Sequence, residues 1–217
     1  AYNNIGLALK DQGKLEQALE SYKKALSVKP DYPDAYVNMG LALKDQRKPD
    51  EAIEAYEKAI ANKPDYAEAY YNMGLIYQDQ DMHEEAIEAY KQTLSIDPDY
   101  AQAYNNLGNV LEDQGQLKEA IRAYKKALCI QPHYTEVHYN LGNAYEEVGK
   151  LDEAIKAYNQ AVSLNPNDAD TYNNLGNALK DDGQVDRAIA AYYKALGIRP
   201  NYADAKCNAS FAYNLKG

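Results

Sequence analysis

The residues best suited to chemistry in this chain are amides and acids held at a fixed spacing. Asparagine recurs every 34 residues, at Asn4, Asn38, Asn72, Asn106, Asn140, Asn174 and Asn208. Asn is a mediocre helix former, so propensity does not account for seven in register. Its amide can donate to a backbone carbonyl and accept from a backbone N–H. A row of such amides could hold an extended peptide by its main chain, with little demand on the peptide's sequence. The same amides could tie neighbouring units together, and the two roles are compatible. Two further rows, acidic apart from one amide, keep the same step. One holds Asp34, Glu68, Gln102, Glu136, Asp170 and Asp204, and the other Asp11, Asp45, Asp79, Asp113, Glu147 and Asp181. Their field favours a neutral-to-basic protein or peptide partner. Acids in the first row also suit the positive end of a helix dipole, which does not explain the second. Tyr71 and Tyr139, each beside a ladder asparagine, are expected to read ligand side chains together with Asp45, Asp79 and Asp113.

Other chemistries find no support. The histidines are His83, His133 and His138, with no i, i+4 pair beside a third ligand, so no metal site is expected. Each recurring glycine stands a full repeat step from the next, which makes no phosphate loop. No Ser–His–Asp arrangement recurs. No catalytic residue and no cofactor is therefore expected. Cys129 and Cys207 form no framework or metal spacing and are expected to be buried small apolar residues. A net charge of −10 repels phosphate backbones and anionic lipid, which argues against nucleic acid and membrane surfaces. There is no run of 18 apolar residues and no visible signal peptide, so the expected location is the cytoplasm. The chain opens at Ala1, inside a repeat, and reads as a fragment of a longer protein.

The elements that position these rows follow from the same period. Prolines at 30, 64, 98, 132, 166 and 200 share the 34-residue step with Gly6, Gly40, Gly74, Gly108, Gly142 and Gly176. So do Ala18, Ala52, Ala86, Ala120, Ala154 and Ala188, and Tyr22, Tyr56, Tyr90, Tyr124, Tyr158 and Tyr192. Of the chain's aromatics, 22 are Tyr, one is Phe and none is Trp, as copies of one unit would produce. Units run 1–32, 33–66, 67–100, 101–134, 135–168 and 169–202, with a half-unit 203–217, all in a single array over 1–217. Each reads as two helices. In 101–134 the first carries Ala103, Tyr104, Leu107, Val110 and Leu111, and the second Leu117, Ala120, Ile121, Tyr124, Ala127 and Leu128. Gly115 caps the first and Pro132 ends the second. The small residues at the eighth and twentieth places imply close approach of two helix backbones. The tyrosines at places 4 and 24 are expected to fill the space between neighbours, where they can keep their hydroxyls wet. One helix pair cannot bury its own apolar face, so the units must stack.

These columns resemble the tetratricopeptide repeat family, whose pattern unit 135–168 matches with Leu141, Gly142, Tyr145, Ala154, Tyr158, Ala161 and Pro166. The resemblance covers the whole chain. Departures are His138 for the aromatic at place 4, Thr93 for Ala at place 27, and Arg47 and Asp81 for Gly at place 15. The last half-unit has Lys206, Ala209 and Ser210 where Tyr, Leu and Gly stand elsewhere, which suits a terminal capping helix. The resemblance implies an all-α solenoid, a right-handed superhelix of antiparallel pairs with the first helices lining a concave groove. It implies a scaffold that binds an extended peptide or partner protein rather than an enzyme. The subclass that clamps acidic tails uses Lys and Arg at places 2, 5 and 6. Acids, Tyr, Val and Asn stand there in this chain, which argues against that ligand. The asparagine row is similar to the repeat arm of O-linked N-acetylglucosamine transferases, so a substrate-recruiting arm of a larger glycosyltransferase is the alternative. A third possibility is an engineered or self-associating array without a natural ligand, stacking through its open ends.

Overall fold

The computed structural model describes residues 1–215, and among them every regular element is a helix. First helices are α1 (Tyr2–Asp11), α3 (Pro33–Asp45), α5 (Ala67–Asp79), α7 (Ala101–Asp113), α9 (Thr135–Glu147), α11 (Ala169–Asp181) and α13 (Ala203–Leu215). Second helices are α2 (Leu15–Val28), α4 (Pro49–Asn62), α6 (His83–Ile96), α8 (Leu117–Ile130), α10 (Leu151–Leu164) and α12 (Val185–Ile198). From α3 onward each first helix begins on the residue that opens its unit in the sequence frame. The chain is an all-α array of helix pairs in two compact units, the first 1–103 and the second beginning at Tyr104, inside α7.

Within each unit a second helix packs on its own first helix and on the first helix that follows, as α4 does on α3 and α5, and α10 on α9 and α11. The alanines at place 20 and the tyrosines at place 24 are fully buried in all six repeats. The glycine at place 8 has a different reason from the one the pattern implied. A Cβ on Gly142 would lie 2.4 Å from Cε1 of Tyr158, and every other place-8 glycine meets its own repeat's tyrosine within 2.6 Å. The close approach is of an aromatic ring to a backbone, not of two backbones. Nor are the hydroxyls wet, because the rings are buried to their tips. A second correction concerns the cysteines. Cys129 and Cys207 are both exposed, since each stands outside the apolar stripe of its helix.

The turn between the paired helices explains two departures from the pattern. At place 15, Gly13, Gly115, Gly149 and Gly183 adopt φ of 71° to 80°. The following N–H reaches back five residues, as Lys150 N to Tyr145 O at 2.8 Å, a glycine-type helix end. Arg47 and Asp81 keep the same bond, Lys48 N to Leu43 O at 3.0 Å and Met82 N to Tyr77 O at 2.8 Å, by taking φ of 59° and 57°. The repeat geometry imposes this conformation on side chains that resist it, at a cost of about 1–2 kcal/mol. Arg47→Gly is expected to stabilise the protein by about 1 kcal/mol, and Asp81→Gly by less, because Asp tolerates the left-handed region better. Denaturant midpoints that fall for both variants would refute this account.

Candidate functional site

The first helices carry the sequence-predicted residues, and most of those residues already have partners inside the protein. In the second unit the Asn140 amide donates to Asn105 Oδ1 at 3.1 Å and Asn109 Oδ1 at 3.0 Å. One repeat on, Asn174 donates to the Tyr139 hydroxyl and Asn143 Oδ1, both at 3.2 Å. Asn208 donates to Asn173 Oδ1 and Asn177 Oδ1, both at 3.1 Å. These three place-6 amides thus reach places 5 and 9 of the preceding repeat. Asn106 accepts from Asn105 Nδ2 at 3.3 Å. In the first unit Asn38 donates to Asn3 Oδ1 at 3.1 Å. Asn72 turns instead to its own helix, to Glu68 O at 2.8 Å, because Val37 and Leu41 at places 5 and 9 before it offer no acceptor. Asn4 is exposed.

The place-24 tyrosines join this network from beneath. Tyr124 Oη lies 2.8 Å from Asn109 Oδ1 and 2.5 Å from Glu112 Oε2. Tyr158 Oη lies 2.7 Å from Asn143 Oδ1 and 2.8 Å from Glu146 Oε2. Tyr192 donates to Asn177 Oδ1 at 2.9 Å, and Tyr90, with Leu75 at place 9, donates to Gln78 Oε1 at 2.7 Å. Tyr22 and Tyr56 have Leu7 and Leu41 at place 9, and Lys10 and Lys44 at place 12. Their buried hydroxyls have no partner among the described residues. Burial, then the nearby Asp11 carboxylate, pushes the Tyr22 phenol up to about 12. This arrangement of places 9, 12 and 24 was not anticipated. Its signal was in the sequence, where place 9 switches from Leu7, Leu41 and Leu75 to Asn109, Asn143 and Asn177.

The acids divide in the same way. At place 2, Asp34 accepts from the Tyr66 hydroxyl at 2.7 Å and Glu136 from Asn105 at 3.1 Å. Asp170 holds Arg199 through two bonds of 3.0 and 2.9 Å. That guanidinium keeps the Asp170 carboxyl below its usual range. At place 13, Asp79 and Asp113 are exposed, and Asp45 lies 3.7 Å from Lys10. Tyr71 is half-buried, its ring centroid 4.8 Å from that of Tyr100, and Tyr139 lies 6.2 Å from Tyr158. His138 takes the tyrosine slot by pairing Nε2 with Pro132 O at 2.9 Å. Among the described residues no group of three or more His, Cys, Asp or Glu is placed to hold a metal ion. Nor is any helix among them long and apolar enough to cross a membrane.

Glu112 and Glu146 have carboxyl pKa values raised above the ordinary range. Burial is the main cause, opposed by the tyrosine hydroxyl bond and reinforced by Glu147 and Asp113 beside Glu112 and by Asp181 beside Glu146. A raised value in the folded state means that the native protein holds these protons more tightly than the unfolded chain. The stabilisation is complete below the unfolded pKa, near 4.5, and is lost as pH rises through the higher folded value. Glu112→Gln keeps an acceptor for Tyr124, as Gln78 does for Tyr90, and removes the half-buried charge. The variant is expected to unfold at higher denaturant than wild type at pH 7, with the gap closing by about pH 4. A gap that widens on acidification would contradict the sign.

Sequence models of the repeat family match most of the chain. A model described as TPR repeat matches 6–47 and 147–183, and three described as tetratricopeptide repeat match 34–99 with 65–132, 123–156 and 169–202. The chain belongs to the tetratricopeptide repeat family. Several solved structures resemble it. MamA is 32% identical with a TM-score of 0.69, over 74% of this chain and 94% of that one. YrrB, a TPR protein with an unusual peptide-binding site, is 25% identical with a TM-score of 0.78, over 87% and 97%. The pilF protein of Pseudomonas aeruginosa is 20% identical with a TM-score of 0.80, over 100% and 96%, a likeness of fold alone. A search of curated protein sequences found no match.

Proposed function

We propose that this tetratricopeptide repeat chain is a protein-interaction scaffold that holds an extended peptide against its first helices. The observation that carries the reading is the amide network of the second unit, in which Asn109, Asn143 and Asn177 are half-buried and each is fixed by two hydrogen bonds. Amides held in one rotamer meet a ligand without further loss of side-chain freedom, which is where binding energy is usually spent. The exposed acids Asp113, Glu147 and Asp181 stand at the ends of the same helices and favour a neutral-to-basic segment for this unit. The likeness to YrrB supports a peptide as the ligand class.

Such a contact is polar and orders a flexible chain, so affinity should be around micromolar, about −8 kcal/mol. Calorimetry of a selected peptide against Asp113→Lys is the test, because Asp113 is exposed and carries none of the fold. The substitution should weaken basic peptides more than neutral ones and reduce the dependence of binding on salt. Equal binding of both peptide classes to variant and wild type would end the charge reading. The amide row also suits a substrate-recruiting arm, and a glycosyltransferase domain in the same polypeptide would favour that second reading.

A further inference from the structure

The first unit differs from the second at the places that meet the place-24 tyrosine, and the difference costs it hydrogen bonds. Tyr22 and Tyr56 are fully buried, yet neither hydroxyl has an acceptor among the described residues. An acceptor stands at one of two places elsewhere in the chain: Tyr192 donates to Asn177 at place 9, and Tyr90 to Gln78 at place 12. In their stead the first two repeats carry Leu7 with Lys10, and Leu41 with Lys44. Leu7, Leu41 and Leu75 are half-buried, so they form an apolar row that stays partly open. Unsatisfied buried donors are uncommon and call for an explanation. Apolar and cationic groups set against local stability mark a surface kept for a partner.

We infer that the first unit's first-helix face docks a partner segment that carries Leu- or Ile-type side chains and a carboxylate. The apolar side chains would cover Leu7, Leu41 and Leu75. The carboxylate is the complement of Lys44, which makes no ion pair among the described residues, and of Lys10, whose nearest acid is Asp45 at 3.7 Å. Asp11, Asp45 and Asp79 are the opposing charges one residue further along each helix. They confine the favourable position for an acid to the lysines. This rests on the scaffold reading above and assigns the first unit a ligand chemistry opposite in charge to that of the second.

A displayed library of random dodecapeptides, selected on the whole chain and re-tested on variants, decides it. Leu41→Asn supplies the missing acceptor for Tyr56 while removing apolar surface. It should raise the thermal midpoint by about 2–4 °C and weaken a class of selected peptides by about tenfold or more. The weakened class should be rich in apolar and acidic residues, and Lys44→Glu should weaken the same class. Selected peptides that respond to Asp113→Lys but to neither first-unit variant would overturn this inference and leave the scaffold reading standing. If the peptides respond to no first-helix substitution in either unit, both fall. A first-unit class rich in Lys and Arg would also overturn it.

Discussion

Gly142→Ala should be among the most damaging single-methyl changes the protein can suffer. The new Cβ would stand 2.4 Å from Cε1 and 2.6 Å from Cδ1 of Tyr158, a fully buried ring whose hydroxyl is anchored by Asn143 and Glu146. A flexible chain end could yield, but a caged ring cannot. The cost should lie at or above the top of the usual overpacking range of about 1–3 kcal/mol, and Gly142→Leu should cost more. Lys150→Ala, at an exposed turn, is the control. The contact itself is tested by a double-mutant cycle with Tyr158→Leu, which alone opens a cavity. Together the two changes should be less harmful than their sum by at least about 1 kcal/mol, since each relieves the other. Strict additivity would show that ring and glycine do not constrain one another.

Replacing a tyrosine by phenylalanine should have opposite signs in the two units. Tyr158→Phe deletes the hydroxyl that Glu146 and Asn143 accept from, and leaves a half-buried carboxylate short of a donor. That should cost about 1–3 kcal/mol. Tyr56→Phe deletes a buried hydroxyl that has no partner among the described residues, so no bond is lost and a desolvated polar group disappears. It should be neutral or stabilise by up to about 2 kcal/mol. The two substitutions are chemically identical and occupy the same place in the repeat, so their difference isolates what places 9 and 12 contribute. Equal losses in both would mean that Tyr56 is satisfied in solution and that the two units do not differ in this respect.

The contrast also shows how far the sequence could be read. Helix positions, helix pairing and capping turns were legible because each rests on a residue with one strong physical consequence: proline ends a helix, and glycine accepts a left-handed turn. The reason for Gly142 was not legible. Smallness at two places implies close contact but does not say whether the neighbour is a backbone or a ring from place 24. The cysteines were misplaced by a preference for burial that applies to the residue type and ignores the helix face it occupies. Asparagine at place 6 was visible as a row, but its partners were not. They lie 31 and 35 residues away, and only the packed geometry brings Asn109 and Asn105 to Asn140. Arg47 and Asp81 appeared as exceptions to a pattern. Their backbone bonds show that the conformation was retained and only the residue changed.

The glycine–tyrosine contact closes within one repeat, whereas the amide bonds of Asn38, Asn140, Asn174 and Asn208 cross from one repeat to the next. The two columns therefore govern separate quantities in a one-dimensional description of unfolding: the first sets the intrinsic free energy of a repeat, the second the coupling between neighbours. Substitutions at place 8 should lower a local midpoint without broadening the transition. Substitutions at place 6 should broaden it by letting neighbours unfold apart. Asn72, whose amide returns to its own helix, contributes no such bond, which makes the junction of repeats 33–66 and 67–100 a natural seam of the first unit. Amide hydrogens of α4 and α5 should exchange through sub-global opening at that seam before the unit unfolds as a whole.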